Sequence, residues 1–442
     1  MIDADLIVEG IGELVTCAGN APRVGKSMRE TGVIENAVIA GCGGRLVAVG
    51  PEDQVSGTLR LRPDGVRINA AGRTVLPGFV DSHTHLAFGG TREDEFNRIL
   101  QGESYLDIAA SGGGIIRTVL STRKAGFDEL YAISKIFLDK MLRHGTTTAE
   151  AKSGYGLDLD TEIRQLEVIR ALDTSHPVEL VPTFLGAHII APEYRDDREG
   201  YISLLTKRMI PEVASRGLAK FCDVFCEEGV YTVEESRAIL ECGASYGLRS
   251  KIHADEFTDQ GGAELAAELN AVSADHLSFI SEKGLREMAR AGVTAILLPS
   301  TTFFLRKDNY APARKMMEAG VPVAVATDFN PGSSMTYSMQ AILWLACLKL
   351  GMTIDEAITA STINAAYAVG KSSVVGSIEA DKQADLVIFD IPNRFHLVYQ
   401  WGTNHIGMVI KQGKVVYRDQ SFPGKVTAPA GSPEPDETER SE

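Results

Sequence analysis

The sequence predicts a (β/α)8 TIM-like barrel joined to a small β-sandwich domain that is built from both ends of the chain. Three observations support this fold. Between residues 73 and 372, short strands alternate with helical stretches, whereas 1–72 and 373–418 carry strands and glycine-rich turns. Polar side chains of the kind that bind metals follow the predicted barrel strands, and barrel enzymes collect such groups at the C-terminal ends of their strands.

The predicted β domain begins with four short apolar strands, and each is bounded by turn residues. They cover 5–8, 36–39, 46–49 and 66–70. Such a segment buries too little surface by itself, so we expect it to pair with another part of the chain. Strands predicted at 385–389, 408–411 and 414–417, with a turn at Gln412-Gly413, provide that partner.

The predicted barrel contains eight strands with helices between them. The strands lie at 75–80, 146–152, 178–186, 221–227, 249–254, 273–277, 294–299 and 322–327, and clear helices lie at 128–144, 232–246, 281–291 and 306–319. In the first helix, Leu130, Ile133, Phe137 and Met141 recur at helical spacing, and Gly145 follows the last turn.

Composition excludes several classes of protein. The 442 residues carry a net charge of -15, with 44% hydrophobic and 23% charged residues, which argues against a nucleic-acid partner or an anionic membrane surface. Six scattered cysteines without Cys-x-x-Cys pairs suit a reducing cytoplasm. We find neither a signal peptide nor an apolar run near the roughly 20 residues of a membrane helix. The acidic, proline-containing segment 419–442 predicts a disordered tail.

The first barrel strand leads into His83 and His85, two residues apart. Side chains at positions i and i+2 of a strand point to the same side, so the two imidazoles form half of a metal site. Five of the nine histidines lie at the ends of predicted strands, and carboxylates join them. The complete set is His83, His85, Glu150, Lys152, His188, His253, Glu256, Asp275, His276 and Asp328.

Three imidazoles and one carboxylate from this set predict a mononuclear metal site with one open position for water: His83, His85, His253 and Asp328. The fourth strand has no lysine that could be carboxylated to bridge two metals, so one metal is favoured. Glu227 or Glu228 stays open as an additional ligand.

The motifs Pro77-Gly-Phe-Val-Asp-Ser-His-Thr-His85, Lys251-Ile-His-Ala-Asp-Glu256 and Ala326-Thr-Asp328 resemble those of the amidohydrolase superfamily. Further segments are similar to the imidazolonepropionase family within it: 85–92, Ser111-Gly-Gly-Gly-Ile115, Lys152-Ser-Gly-Tyr-Gly156, 273–276 and 328–334. The resemblance covers residues 4 to 418. It implies hydrolytic opening of 4-imidazolone-5-propanoate to N-formimidoyl-L-glutamate in histidine degradation, and a homodimer.

The resemblance also implies roles for individual residues. His83, His85, His253 and Asp328 would bind one zinc or iron ion per chain. Substrate contacts would come from Arg92, Tyr105, Tyr155, His188, Glu256, Asn330, Gly332 and Ser333. Glu256, His276 and Asp328 are the expected catalytic groups: Glu256 would move a proton to the ring nitrogen, and the general base stays open among the three. The run 111–114 is either a flexible linker or a loop that covers the substrate.

Two other functions remain open. A cyclic-amidine deaminase, such as a guanine or cytosine deaminase, uses the same ligand pattern and would release ammonia. A non-catalytic metal-binding barrel is the other alternative, although such a protein would be expected to lose Asp328, His276 or Glu256 first. An arginine at position 92 favours a substrate with a carboxylate, because guanidinium binds carboxylate in a bidentate manner.

Overall fold

The computed structural model describes residues 1–103, 107–108 and 111–427 and contains two sheets. The strands are β1 (Ile2–Val15), β2 (Val33–Cys42), β3 (Arg45–Pro51), β4 (Leu59–Asn69), β5 (Thr74–Pro77), β6 (Phe79–Asp81), β7 (Thr146–Lys152), β8 (Glu179–Ala187), β9 (Phe221–Cys226), β10 (Arg249–Ala254), β11 (Ser273–His276), β12 (Thr294–Leu297), β13 (Val323–Val325), β14 (Leu386–Phe389), β15 (Ile406–Lys411), β16 (Lys414–Arg418) and β17 (Lys425–Thr427).

Helices fill most of the connections between the barrel strands. The α-helices are Glu52–Val55, Glu93–Leu100, Ile115–Lys124, Phe127–Arg143, Leu159–Ser175, Arg198–Leu204, Ile210–Ser215, Val233–Ser245, Gly262–Glu268, Glu282–Ala291, Pro299–Phe304, Ala313–Glu318, Met339–Leu348, Ile354–Ser361, Ile363–Ala368 and His396–Tyr399. Short 3-10 turns lie at Gly25–Arg29, Ser56–Thr58 and Pro192–Tyr194, and a π-helical turn at Leu205–Met209. Among the described residues, no helix is long and apolar enough to cross a membrane.

Strands β6 to β13 form the predicted barrel: eight parallel strands paired in chain order. Their residues are almost all buried, as expected when helices cover the outside and side chains fill the inside. The first and last strands meet just beyond their C-terminal ends, where Thr84 forms a parallel bridge with Phe329. This contact joins the two ends of the barrel sheet at the rim that carries the polar residues.

Local sequence signals explain where several helices begin. Thr232 and Glu235 form a reciprocal capping box at the start of the helix Val233–Ser245, and Thr353 and Glu356 do the same for Ile354–Ser361. Ser281 accepts the Gly284 amide at the start of the helix Glu282–Ala291. These boundaries agree with the sequence prediction to within one residue at 232–246 and 281–291.

The other nine strands form one mixed sheet from both chain ends. β1 pairs with β2, β4 and β5, and β5 continues through β14 and β15 to β16. Residues of β1 contribute to separate apolar clusters: Leu6 and Val8 to one, and Ala4 and Ile7 to another, with a register shift between Ala4 and Leu6. The predicted turn at Gln412-Gly413 is confirmed, since both residues have positive φ. The predicted fold class is therefore confirmed, and the domain boundaries remain a prediction.

The single strand predicted at 75–80 is divided in the structure. β5 belongs to the mixed sheet and β6 to the barrel, with Gly78 between them. A Cβ at Gly78 would overlap the Thr147 side chain, and the Gly78 amide donates to Asp385 O at 3.0 Å. The chain therefore passes from one sheet to the other at a residue that requires glycine, a distinction that hydrophobicity alone does not reveal.

Two further predictions need correction. The helix predicted at 306–319 is helical only over Ala313–Glu318, because Pro312 lacks an amide hydrogen and can precede a helix but not continue one. The tail was predicted to be disordered from residue 419, yet β17 pairs antiparallel with β4. Val426 lies between the exposed polar residues Lys425 and Thr427, which suits an edge strand. Residues 428–442 lie outside the described residues.

Candidate metal and catalytic site

The backbone at the barrel closure brings the first and last strand ends together. The His85 amide donates to Phe329 O at 2.9 Å, and the Asp328 amide donates to His83 O at 3.0 Å. Asp328 has a positive φ of 50°, a conformation that aspartate tolerates better than most residues. These bonds place the Asp328 carboxylate directly beside the two histidines of the first strand.

The five predicted ligand-type side chains converge at this rim. His83 Nε2 lies 3.3 Å from His85 Nε2, and Asp328 Oδ1 lies 3.4 Å from both nitrogens. His83 also forms a group with His253 and His276, in which one ligand atom per residue lies within 4.8 Å of the others. The structure therefore brings together the four predicted metal ligands and the predicted catalytic His276.

The side chains fit a divalent metal ion. His253 Nε2 is buried without a hydrogen-bond partner among the described residues, so it is available to bind a metal. His253 Nδ1 lies 3.1 Å from Asp223 Oδ2, but without the direction of a hydrogen bond. Buried polar atoms are costly unless something binds them, and imidazole with carboxylate is a donor set that zinc and iron accept.

A network of buried charges lies directly beneath the histidines. Lys152 Nζ is 2.7 Å from Asp223 Oδ2, 2.8 Å from Glu150 Oε2 and 3.7 Å from Asp275 Oδ2. Lys251 Nζ is 2.8 Å from Glu150 Oε1, and all five side chains have no exposed surface. Asp275 in turn lies 2.6 Å from His83 Nδ1. Through Asp275, the network therefore holds the imidazole of His83 in position.

This network is the part of the site to which the sequence assigned no role. Glu150, Lys152 and Asp275 stood out at strand ends, but nothing in the sequence showed that they pair with one another. One signal was present: Lys251 and His253 alternate along β10, so both point into the barrel. A lysine buried inside a barrel requires acidic partners, and Asp223 and Asp275 on the neighbouring strands were the candidates.

Burial and charge set the protonation of the reacting groups. Burial raises the pKa of Asp328, but its hydrogen bonds to His83 and His85 outweigh this and hold the pKa well below the usual range. Burial lowers the pKa of His276 well below its usual value. Burial, with the nearby Asp328 charge, raises the pKa of Glu256 to about 8. Burial thus favours the neutral forms of His276 and Glu256, whereas the neighbouring histidines favour the ionised form of Asp328.

Glu256 follows β10 and lies beside His276, with 3.7 Å between Glu256 Oε2 and His276 Nε2. Glu227, which the sequence left open as a metal ligand, has another role. Its Oε2 accepts the amides of Glu256 at 3.0 Å and Phe257 at 2.9 Å. Glu228 is exposed. Neither belongs to the metal-competent groups found among the described residues.

His188 and Tyr155 form one aromatic wall of the site. The His188 ring stacks on His85 with centroids 5.1 Å apart, and the Tyr155 ring lies 5.4 Å from His188. Glu162 fixes the loop that carries Tyr155, because its carboxylate accepts the Gly154, Gly156 and Leu157 amides at 2.8 to 3.1 Å. These two predicted substrate residues are thus positioned next to the metal ligands.

Arg92 packs against the loop that follows β13 and Asp328. Arg92 is buried and donates through Nε to Glu95 Oε2 at 2.8 Å. A Cβ on Gly332 would overlap Arg92 Nη1, so the guanidinium packs directly on this glycine. Asn330 Oδ1 accepts the Gly332 and Ser333 amides, both at 2.8 Å, which organises the loop. Tyr105, also a predicted substrate contact, lies outside the described residues.

Comparison with solved structures identifies the fold. An adenosine deaminase from Xanthomonas campestris with bound zinc superposes with a TM-score of 0.70 at 19% identity, covering 94% of this chain and 93% of that one. The E. coli guanine deaminase also gives a TM-score of 0.70, at 16% identity, covering 93% of this chain and 99% of that one. At such low identity these similarities concern the fold alone.

Comparison with curated sequences is more specific. The model of the amidohydrolase family matches residues 74–416. An imidazolonepropionase from Geobacillus kaustophilus (strain HTA426) is 51% identical over 417 residues, 94% of this chain and 98% of the relative. One from Alkaliphilus metalliredigens (strain QYMF) is 49% identical over 413 residues, 93% of this chain and 98% of the relative. The chain therefore belongs to the amidohydrolase family and, within it, to the imidazolonepropionases.

Proposed function

We propose that the chain hydrolyses 4-imidazolone-5-propanoate to N-formimidoyl-L-glutamate, a step of histidine degradation. Water adds to the ring carbonyl carbon, the bond from that carbon to the ring nitrogen breaks, the nitrogen gains a proton and the carbon becomes a carboxylate. The observation that carries this proposal is the identity of about half the residues to imidazolonepropionases over nearly their whole length.

We expect one metal ion per chain, zinc or iron, held by His83, His85, His253 and Asp328. When bound, such an ion polarises the substrate carbonyl and lowers the pKa of a water molecule towards neutrality. The close approach of the His83, His85 and Asp328 ligand atoms supports this assignment. The unpaired Nε2 of His253 supports it as well.

The shifted pKa values of Asp328, Glu256 and His276 suggest which part of the reaction each side chain carries out. Asp328 stays ionised and can accept the proton from the attacking water. Glu256, with a pKa raised to about 8 by burial and by Asp328, holds a proton that it can deliver to the leaving ring nitrogen. His276 is neutral and close to Glu256, so it can donate a hydrogen bond to the oxygen on which negative charge develops.

Two groups of side chains suggest how the substrate is oriented. His188 and Tyr155 offer flat faces and polar edges to the imidazolone ring. Arg92, which packs against Gly332, would bind the propanoate carboxylate, with Ser333 next in the same loop. We retain Asn330 and Tyr105 as substrate contacts from the family resemblance, although the Asn330 amide already binds its own loop.

The test is to incubate the purified, metal-analysed protein with 4-imidazolone-5-propanoate, generated in place from urocanate by urocanase. Loss of the ring's ultraviolet absorbance without release of ammonia, at about one metal per chain, supports the proposal. Release of ammonia would instead indicate a deaminase. Absence of turnover by the metal-loaded protein would contradict hydrolysis of this substrate. Arg92→Ala serves as the matched variant, and its KM should rise if Arg92 binds the carboxylate.

Three further properties belong to the same proposal. The chain divides into a β domain (1–72 with 373–418) and a barrel (73–372), resides in the cytoplasm, and forms a homodimer. Six unpaired cysteines support a reducing compartment, and the homodimer follows from the family resemblance. Light scattering coupled to size-exclusion chromatography measures the oligomeric state directly.

A further inference from the structure

We infer that Glu95 is a positioning residue, which fixes the guanidinium of Arg92 and so determines selectivity for a substrate with a carboxylate. This inference rests on the proposed function, in which Arg92 binds the propanoate group. Glu95 itself would not touch the substrate. It acts by holding the side chain that does, and it would therefore affect ligands with a carboxylate more than ligands without one.

Glu95 is a buried carboxylate with partners on several sides. It is 3% exposed, and its Oε2 accepts from Arg92 Nε at 2.8 Å. Both of its oxygens lie 3.1 Å from the amide nitrogen of Gly114. Arg117 Nη1 lies 3.5 Å from Oε1. A buried carboxylate with these contacts has one preferred position, and so has the Arg92 Nε that it binds.

Two glycines allow this close packing. A Cβ on Gly113 would lie 2.8 Å from Glu95 Oε1, so a larger residue there would displace the carboxylate. A Cβ on Gly332 would overlap the guanidinium of Arg92 from the other side. Gly114 has a φ of 73°, which favours glycine and directs its amide towards Glu95. The glycine run that the sequence left open as a linker or cover thus wraps around Glu95.

The helix that carries Glu95 is attached to the rim of the catalytic site. Phe96, the next residue, stacks on Phe304 with centroids 4.2 Å apart. Phe304 ends the helix Pro299–Phe304, and Thr301 of that helix donates to Asp328 Oδ2 at 2.5 Å. The position of Glu95 is therefore tied to the same elements that hold the proposed metal ligand.

Preorganisation gives this arrangement an energetic consequence. An arginine side chain loses considerable rotamer freedom when it binds a carboxylate, and that cost lowers the affinity. If Glu95 already holds Arg92 in the binding orientation, this conformational entropy is lost during folding and no longer lowers the affinity for the ligand. Replacing Glu95 by glutamine removes the negative charge, so the bond from Arg92 Nε loses its charge assistance. The new NH2 group is a donor and would replace an oxygen that lies 3.1 Å from the Gly114 amide nitrogen, which is also a donor.

The experiment compares two imidazole ligands that differ only in the carboxylate. Calorimetry on the metal-loaded protein gives the Kd of 3-(imidazol-4-yl)propanoate and of 3-(imidazol-4-yl)propanamide. In Glu95→Gln we expect the propanoate to bind roughly tenfold more weakly, the equivalent of one lost charge-assisted contact, and the propanamide to bind as in the wild type. In parallel, KM for the imidazolone substrate should rise while kcat changes little.

Two other variants separate the possible outcomes. Glu93→Gln makes the same change on an exposed residue of the same helix and should alter neither Kd. Arg92→Ala should weaken the propanoate more than Glu95→Gln does. If Arg92→Ala discriminates between the ligands and Glu95→Gln does not, the inference is wrong and the proposed function stands. Equal weakening of both ligands in Glu95→Gln would show a general structural role and overturn the inference. If Arg92→Ala does not discriminate, carboxylate binding by Arg92 itself fails, and the inference fails with it.

Discussion

Asp275 Oδ2 lies 2.6 Å from His83 Nδ1, and both side chains are completely buried. A carboxylate at Nδ1 fixes the imidazole with its other nitrogen, Nε2, directed towards His85 and Asp328. Lys152 lies 3.7 Å from the same carboxylate oxygen, and it ties Asp275 to Asp223 beside His253. One lysine thus links the carboxylates behind two of the proposed metal ligands.

The first prediction concerns the contact between Asp275 and His83. Asp275→Asn should lower the affinity for the metal roughly 10- to 100-fold, because the amide supports the orientation and basicity of His83 less well. Competition with a chelator measures the affinity without reference to turnover. As a control, Asp385→Asn makes the same change at a buried carboxylate that pairs with Lys411 at 2.7 Å, in contact with the mixed sheet. Unchanged metal affinity in Asp275→Asn would exclude the supporting role.

The second prediction concerns Glu256. Glu256→Gln should leave the metal content intact and lower kcat by roughly 10²–10⁴-fold, because glutamine cannot deliver a proton to the leaving nitrogen. Steady-state kinetics with metal analysis of the same samples measure both quantities. Glu228→Gln, on an exposed neighbour of Glu227, should retain wild-type kcat. A near-normal kcat in Glu256→Gln would remove this residue from the mechanism.

The third prediction concerns Gly332. A methyl group at this position would overlap Arg92 Nη1, so Gly332→Ala should displace the guanidinium from its packed position. We expect KM to rise roughly tenfold, comparable to the loss of one charge-assisted hydrogen bond, with little change in unfolding free energy. A crystal structure of the variant would show the arginine. An unmoved Arg92 with unchanged KM would contradict the packing argument.

The fourth prediction concerns stability and pH. Glu356 accepts from Arg29 Nε at 2.9 Å, from Arg314 Nη2 at 2.8 Å and from the Thr353 amide at 2.7 Å. Burial alone would raise its pKa, but these bonds outweigh burial and lower the pKa of Glu356 to about 2. A carboxylate with a depressed pKa stabilises the fold fully above its unfolded value near 4.5, and this stability is lost as the pH falls towards 2.

Glu356→Gln should therefore lower the unfolding free energy at pH 7 by about 1–2 kcal/mol, less than the full pKa shift implies, because Arg29 and Arg314 are partly exposed and solvent screens their charges. The difference from the wild type should shrink as the pH falls below 4.5. Urea unfolding at pH 7, 5 and 4 measures it, with the exposed Glu282→Gln as the matched control. A difference that stays constant with pH would show that the ionised carboxylate is not the stabilising form.

The barrel was predictable because its sequence signals are local. Strands β7 and β10 begin and end at the predicted residues although both are largely polar, because each follows a helix that ends at a glycine with positive φ, Gly145 or Gly247. The convergence of His83, His85, His253 and Asp328 was also predictable, because in a parallel barrel the strand ends share one rim. No such rule predicts that the chain passes from the mixed sheet to the barrel at Gly78. This break depends on how closely the Thr147 side chain approaches Gly78.

The supporting residues of the site were beyond sequence analysis for a related reason. Glu95, Glu162 and Glu227 each bind backbone amides of a different loop, and these partners become visible only when the chain is folded. A glutamate at the start of a helix is ordinarily a solvated residue, and nothing in the sequence marks the buried ones. The glycines in these loops are visible in the sequence. In the structure a carboxylate packs against Gly113 and a guanidinium against Gly332, so neither position has room for a side chain.

The pairing of β5 with β14 affects how the protein is made. Leu386 aligns with Pro77, so one edge of β5 finds its partner only after about 300 further residues have been synthesised. At typical ribosomal speeds this takes roughly 15 to 60 seconds. During that interval the nascent chain presents an open strand edge, Thr74–Pro77, directly before the first residues of the barrel. The yield of active enzyme therefore depends on translation rate and chaperone supply, independently of the stability of the finished fold.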